Sequence, residues 1–103
     1  MQVRQPIKVV FFVQESGREP VRDWLKAIDR ESRRAIGADI KTLQLRWPVG
    51  MPLARKLDTD LWELRSTLSF GIARIFFSIY RGQLVLLHAF VKQSQKTPVK
   101  ERA

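Results

Sequence analysis

Three strand-like runs follow one another almost without interruption between residues 61 and 91, and they constrain the fold more than anything else in the chain. Leu61 to Leu68 alternates: Trp62, Leu64 and Leu68 fall on one side, Glu63, Arg65 and Thr67 on the other. Ser69-Phe70-Gly71 turns the chain. Ile72 to Tyr80 then sets Ala73, Ile75, Phe77 and Ile79 against Arg74, Phe76, Ser78 and Tyr80. Arg81-Gly82-Gln83 supplies the next turn. Leu84 to Val91 is apolar on both sides except at His88, as expected for a strand inside a sheet. Runs this close can only pair as an antiparallel meander, because a parallel crossover needs a dozen residues or more.

The upstream half has helical period. Pro20 suits a first helical position, and Val21, Trp24, Leu25 and Ile28 lie at i, i+3, i+4 and i+7. Asp29 or Ser32 caps a second helix with Ala35, Ile36, Ile40 and Leu43 as its apolar stripe. Before the helices, Ile7 to Val13 reads as a buried strand joining the same sheet, broken by Ser16-Gly17. Trp47 to Pro52 holds two prolines and a glycine and is expected to be irregular. The expected order is β-α-α-β-β-β, an α+β domain in which a small, twisted, mainly antiparallel sheet packs against an N-terminal helical hairpin. At 103 residues the whole chain, 1–103, is expected to be one domain.

Charge narrows the function. Nineteen Lys/Arg against ten Asp/Glu give a net +9, which favours an anionic partner, nucleic acid first. There is no cysteine, which removes disulfides, thiolate metal sites and a cysteine nucleophile. The single histidine, His88, leaves no histidine-rich metal set, so neither metal nor cofactor is expected. The apolar run from Val9 to Val13 is too short for a signal peptide core or a membrane span, so a cytoplasmic location is expected.

Each meander strand carries a cation among apolar residues: Arg65, Arg74 and, at the end of the third, Lys92. Arginine grips phosphate oxygens bidentately and stays protonated, so cations converging on one sheet face point to a polyanion site. The plain alternative is a solvated sheet face that carries arginine for solubility. Phe90 and His88 lie two and four residues before Lys92, which puts all three on one strand face. A lone histidine in an apolar strand reads more simply as a hydrogen-bonded core residue than as a general base, so His88 ranks below the cations as a catalytic candidate. Glu63 reads as an ion-pair partner for Arg65 or Lys56. Phe76, Tyr80 and Phe90 fall on the cationic side, where they could stack on bases. Trp24, Trp62, Phe11 and Phe77 occupy core positions.

A lead-in at Lys56-Leu57, then Leu61-Trp62-Glu63-Leu64-Arg65, Ala73-Arg74-Ile75, Leu86-Leu87-His88-Ala89-Phe90-Val91-Lys92 and Gln95-Lys96-Thr97-Pro98 occur in this order. This pattern resembles the RelE/HigB superfamily of type II toxin–antitoxin toxins, in its phage-derived Gp49-like branch. The resemblance implies a RelE/ParE-like fold and a metal-independent endoribonuclease (mRNA interferase) that cuts mRNA on the ribosome and inhibits translation. It implies a helix-turn-helix antitoxin as partner in a hetero-oligomer, with mRNA and ribosomal RNA as the other partners and no membrane. Within it, Arg65, Arg74 and Lys92 are the catalytic candidates, and Lys56, Tyr80 and Lys96 the RNA-binding ones. Two positions depart from the family pattern: Phe76-Phe77 stand where a tyrosine often follows the strand arginine, and Gln93 stands where a second lysine often follows Lys92. Two other readings stay open: a ParE-like, non-enzymatic inhibitor of DNA gyrase, and an inactive nucleic-acid-binding protein of phage derivation.

Overall fold

A computed structural model describes residues 5–93. The elements run β1 (Lys8–Phe11), α1 (Pro20–Ala27), α2 (Arg30–Arg46), β2 (Ala54–Asp58), β3 (Leu61–Leu68), β4 (Gly71–Tyr80) and β5 (Gln83–Gln93). The strands form one sheet in the order β1-β5-β4-β3-β2. Every pairing is antiparallel except β1 with β5, which is parallel. The result is an α+β fold with a mixed, open five-stranded sheet.

Local chemistry explains the helices. Pro20 opens α1, where its missing N–H has no partner to lose. Asp29 caps α2 by accepting a hydrogen bond from the Ser32 amide at 2.9 Å. The hydrogen bonds from Ser32, side chain first and then amide, hold the Asp29 carboxyl below the usual carboxylate range. Arg33, one turn into α2, reaches back across the junction. Its guanidinium donates to the carbonyls of Leu25, Lys26 and Ile28, which the end of α1 would otherwise leave unpaired.

Both helices cover the same sheet face. α1 packs on β5 and β1, and α2 packs on β3. Val21 from α1 and Ile36 and Leu43 from α2 are fully buried against Leu64, Ile75, Phe77, Leu84 and Leu86. Trp47, in the irregular stretch after α2, closes one end of this core. Its ring meets those of Trp62 and Phe77 edge-on, each at 5.4 Å between centroids. On α2, Asp39 accepts the hydroxyl hydrogen of Ser66, a buried residue of β3.

Three expectations need correction. An additional strand, β2, occupies Ala54–Asp58; it is short, charged and lies at the sheet edge, so it lacks the apolar alternation that marks an interior strand. The first strand is not buried. It is the opposite edge, and Phe12 and Val13, expected to continue it, lie beyond its end and are exposed. His88, expected in the core, is exposed. The cause is a bulge: Leu86 pairs with Phe77 and His88 with Phe76, which leaves Leu87 as an extra residue on β5. Leu84 and Leu86 point to the helices, so an unbroken alternation would have sent His88 the same way.

The two meander turns are each two residues long. Arg81 and Gly82 have φ of 49° and 75°, the paired positive angles that match the twist of a hairpin. At Ser69-Phe70 the constraint is space. A Cβ on Gly71 would sit 2.6 Å from the carbonyl oxygen of Lys92.

Candidate functional site

Residues directly opposite in an antiparallel pair share a face, so the register fixes what the uncovered side of the sheet displays. Three rungs run across β3, β4 and β5. The first is Glu63, Phe76 and His88; the second is Arg65, Arg74 and Phe90; the third is Thr67, Ile72 and Lys92. Arg55 of β2 stands opposite Glu63 and extends the first rung. Rungs are separated by about 7 Å and strands by about 5 Å. Among the described residues, α1 and α2 pack on the other side of the sheet.

Arg65, Arg74 and Lys92 are therefore on one face, with the two arginines directly opposed. Like charges in that position destabilise a sheet pair, so the arrangement calls for a counter-charge. Glu63 supplies part of it. Its carboxylate is 3% exposed and accepts from Nη1 of Arg74 at 3.3 Å, with Arg55 3.8 Å away. The expected partners of Glu63 were Arg65 and Lys56. The register explains the difference, since Arg74 is the diagonal neighbour of Glu63 on this face and Arg55 its direct one. Nε of Arg74 is buried and meets no hydrogen-bond acceptor among the described residues. The guanidinium is thus held from one side and keeps a donor unused.

Two hollows flank the rungs. Thr67, Phe70, Ile72, Arg74, Lys92 and Gln93 line one of about 440 Å³. The other lies at the start of β2, beyond which β3 becomes the sheet edge; Arg65, Asp39 and Leu53 line it. Thr67 and Ile72 border both. Arg74 and Lys92 thus share one hollow, while Arg65 opens onto its neighbour. Beyond Arg74, the rings of Phe76, His88 and Phe90 touch one another with centroids 5.6–6.1 Å apart.

The remaining candidates lie elsewhere. Lys56 pairs with Trp62 and so belongs to the helix-side face, with Nζ 5.7 Å from the Trp62 ring. Tyr80 is six residues along β4 from Arg74, about 20 Å away, and is covered by the Arg81 guanidinium at 5.2 Å. Lys96, with Gln95, Thr97 and Pro98, lies outside the described residues. Arg55 and the coupling of Glu63 to Arg74 escaped sequence reasoning. The signal for both was the parity of Arg55, Glu63 and Arg74, visible only once Ala54–Asp58 is recognised as a strand.

A family model described as Phage derived protein Gp49-like matches residues 23–103, from within α1 through β2 to β5 and beyond. The chain belongs to this family. The Gp49-like family is associated with toxin–antitoxin toxins. No curated protein and no solved structure matches the chain. The match spans all three rungs and both hollows of this Gp49-like protein, and leaves out only β1 and the start of α1 among the elements. Among the described residues, no group of three or more His, Asp or Glu side chains is placed to hold a metal ion, and no helix is long and apolar enough to cross a membrane.

Proposed function

We propose that this Gp49-like protein is the toxin of a type II toxin–antitoxin pair, of the RelE/HigB kind, and that it cleaves mRNA on the ribosome without a metal. The observation that carries the proposal is the opposed pair Arg65 and Arg74 with Lys92 one rung away, on a face free of helices among the described residues. In the reaction, the 2′-oxygen of a nucleotide attacks the adjacent phosphorus as its proton departs. The bond to the 5′-oxygen breaks, that oxygen takes up a proton, and a 2′,3′-cyclic phosphate is left. Charge builds on the non-bridging oxygens, and fixed guanidinium donors stabilise it more in the transition state than in the substrate. Arg74 is suited to this, being already oriented by Glu63 and opening onto the hollow it shares with Lys92. Arg65 would hold the neighbouring phosphate, and Lys92 would protonate the leaving oxygen. His88, exposed on the same face, becomes a candidate to accept the 2′-proton.

The face offers strong electrostatics and few acid–base groups, so in-line orientation must come from elsewhere. Orientation of that kind is worth about 7–11 kcal/mol, and a decoding ribosome could supply it. The net charge of +9 suits ribosomal RNA and an acidic antitoxin segment alike, and a helix-turn-helix antitoxin in the cytoplasm completes the proposal. The test is primer extension on cellular mRNA after brief induction, with translation running and with it blocked. New 5′ ends inside translated messages, lost when translation stops, are expected. No new ends, together with induction of a DNA-damage response, would replace the proposal with gyrase inhibition.

A further inference from the structure

We propose that Phe76, His88 and Phe90 form a seat for one unpaired nucleobase of a single-stranded RNA whose phosphates lie on Arg74 and Lys92. The inference rests on the proposed function for the identity of the strand as RNA, but the seat itself is tested independently below.

The three rings come together from two strands and two rungs. Phe76 and His88 are direct partners, and Phe90 is the direct partner of Arg74. The bulge at Leu87 is what turns His88 out of the core and beside the two phenylalanines. The His88 ring is tilted 40° from Phe76 and 35° from Phe90, while the two phenylalanines meet nearly edge-to-face at 74°. Phe76 and Phe90 are half-buried and brace each other, whereas His88 is exposed. Of the three rings, His88 is therefore the one most open to a flat ligand.

The placement of charge selects the ligand. Phe90 lies between Arg74 across the ladder and Lys92 two residues on, so any ring stacked here has cations on two sides. Aromatic rings interleaved with cations are the arrangement used for single strands, because every base has a π-face and every nucleotide a phosphate. A protein partner would meet Arg55, Arg65, Arg74 and Lys92 around the rings, with Glu63 the one carboxylate on the three described rungs. That suits an acidic surface but gives the rings no particular function. Stacking discriminates little between bases, so the seat confers affinity and register and little sequence preference.

The experiment uses a short single-stranded deoxyoligonucleotide carrying the fluorescent base 2-aminopurine. It lacks the 2′-hydroxyl, so it cannot be cut whether or not the protein is a ribonuclease. The purified full-length chain is expected to quench the fluorophore on binding at low salt. Phe90→Leu, which keeps apolar bulk and removes the π-face, is expected to weaken binding about 5- to 100-fold and reduce the quench at saturation. His88→Ala, at an exposed position that the fold does not need, is expected to act in the same direction. Lys92→Ala is expected to lower the salt dependence of affinity by about one charge while leaving the saturated quench unchanged. Absence of quenching by the wild-type chain overturns the proposal, as does wild-type affinity and quench in both Phe90→Leu and His88→Ala. Cleavage of ribosome-bound mRNA by Phe90→Leu at the wild-type rate, with wild-type affinity and quench for the oligonucleotide, would leave the proposed function standing and remove the seat.

Discussion

Arg74→Ala is expected to destabilise the fold, although Arg74 lies on the uncovered side of the sheet. The side chain looks dispensable by strand parity alone, since parity sends it away from the core. The neighbour it holds is not dispensable. Glu63 is 3% exposed, and its closest cationic contact is Arg74 Nη1 at 3.3 Å. Removing one member of a fully buried ion pair costs about 3–5 kcal/mol, because the other charge is stranded away from water. Two features reduce that figure here. Arg74 itself is 18% exposed, and Arg55, 47% exposed, still reaches Glu63 at 3.8 Å. The expected loss is therefore about 2–3 kcal/mol, the upper part of the range for a hydrogen bond to a charged group. For a domain near this size that corresponds to a fall in Tm of roughly 10–20 °C. The assay is urea unfolding of wild type, Arg74→Ala, Glu63→Gln and the double variant. The double variant is expected to be more stable than the sum of the single losses allows by about 1 kcal/mol or more, since a neutral amide needs no cation. Additivity within about 0.5 kcal/mol, or an Arg74→Ala variant as stable as wild type, would refute the account of Glu63 as a buried charge dependent on Arg74.

Arg65→Ala is the cleaner probe of chemistry, because no carboxylate among the described residues bonds it; cleavage on programmed ribosomes is expected to fall about 10²–10³-fold with urea stability unchanged. Purified protein is expected to leave a short naked RNA nearly uncut while cutting the same codons on a ribosome, as gel analysis of both substrates will show. Gly71→Ala is expected to cost about 1–3 kcal/mol in urea unfolding, since the new methyl meets a backbone carbonyl that cannot swing aside. The Asp29 carboxyl is held below its ordinary value of 3.8 by bonds from Ser32, so its contribution to stability is present above that pH and is lost as pH falls through the depressed value. Wild type is thus expected to melt above Asp29→Ala at neutral pH, with the gap closing as pH drops below about 4.

Much of this architecture is legible in the residues, and the illegible part has identifiable causes. The alternation of Trp62, Leu64 and Leu68, and of Ala73, Ile75 and Phe77, follows directly from one face meeting helices and the other not. Val21, Ile36 and Leu43 lie on the helical stripes for the same reason, and the Asp29 cap is a short-range effect that nearby sequence controls. What periodicity cannot register is a change of phase. The extra residue Leu87 alters nothing in the composition of β5, yet it decides whether His88 faces the core or the cations. Edge strands are likewise weakly marked. Ala54–Asp58 is held by its backbone to β3, while its side chains from Arg55 onward stay exposed and mixed in charge. Without the register of this strand, Lys56 cannot be assigned to the helix-side face, nor Arg55 to the rung of Glu63. The pairing of Glu63 with Arg74 in preference to Arg65 depends on a diagonal, and diagonals need the register.

The parallel pairing of β1 with β5 has a consequence in time. Lys8 lies opposite Gln83, a separation of 75 residues (83 minus 8), whereas β2 to β5 are joined by short turns. During synthesis the first strand leaves the ribosome early and must wait for nearly the last one before its ladder partner exists. Until then its run of Val9, Val10 and Phe11 has no sheet to join, and the side chains of α1 that belong over β5 have no floor. Closing so long a loop is entropically slow compared with zipping the hairpins. A nascent chain stopped before β5 therefore cannot assemble the rungs on which any action of this surface depends. The working face is therefore completed only once β5 has emerged, however early the hairpin of β3 and β4 has zipped.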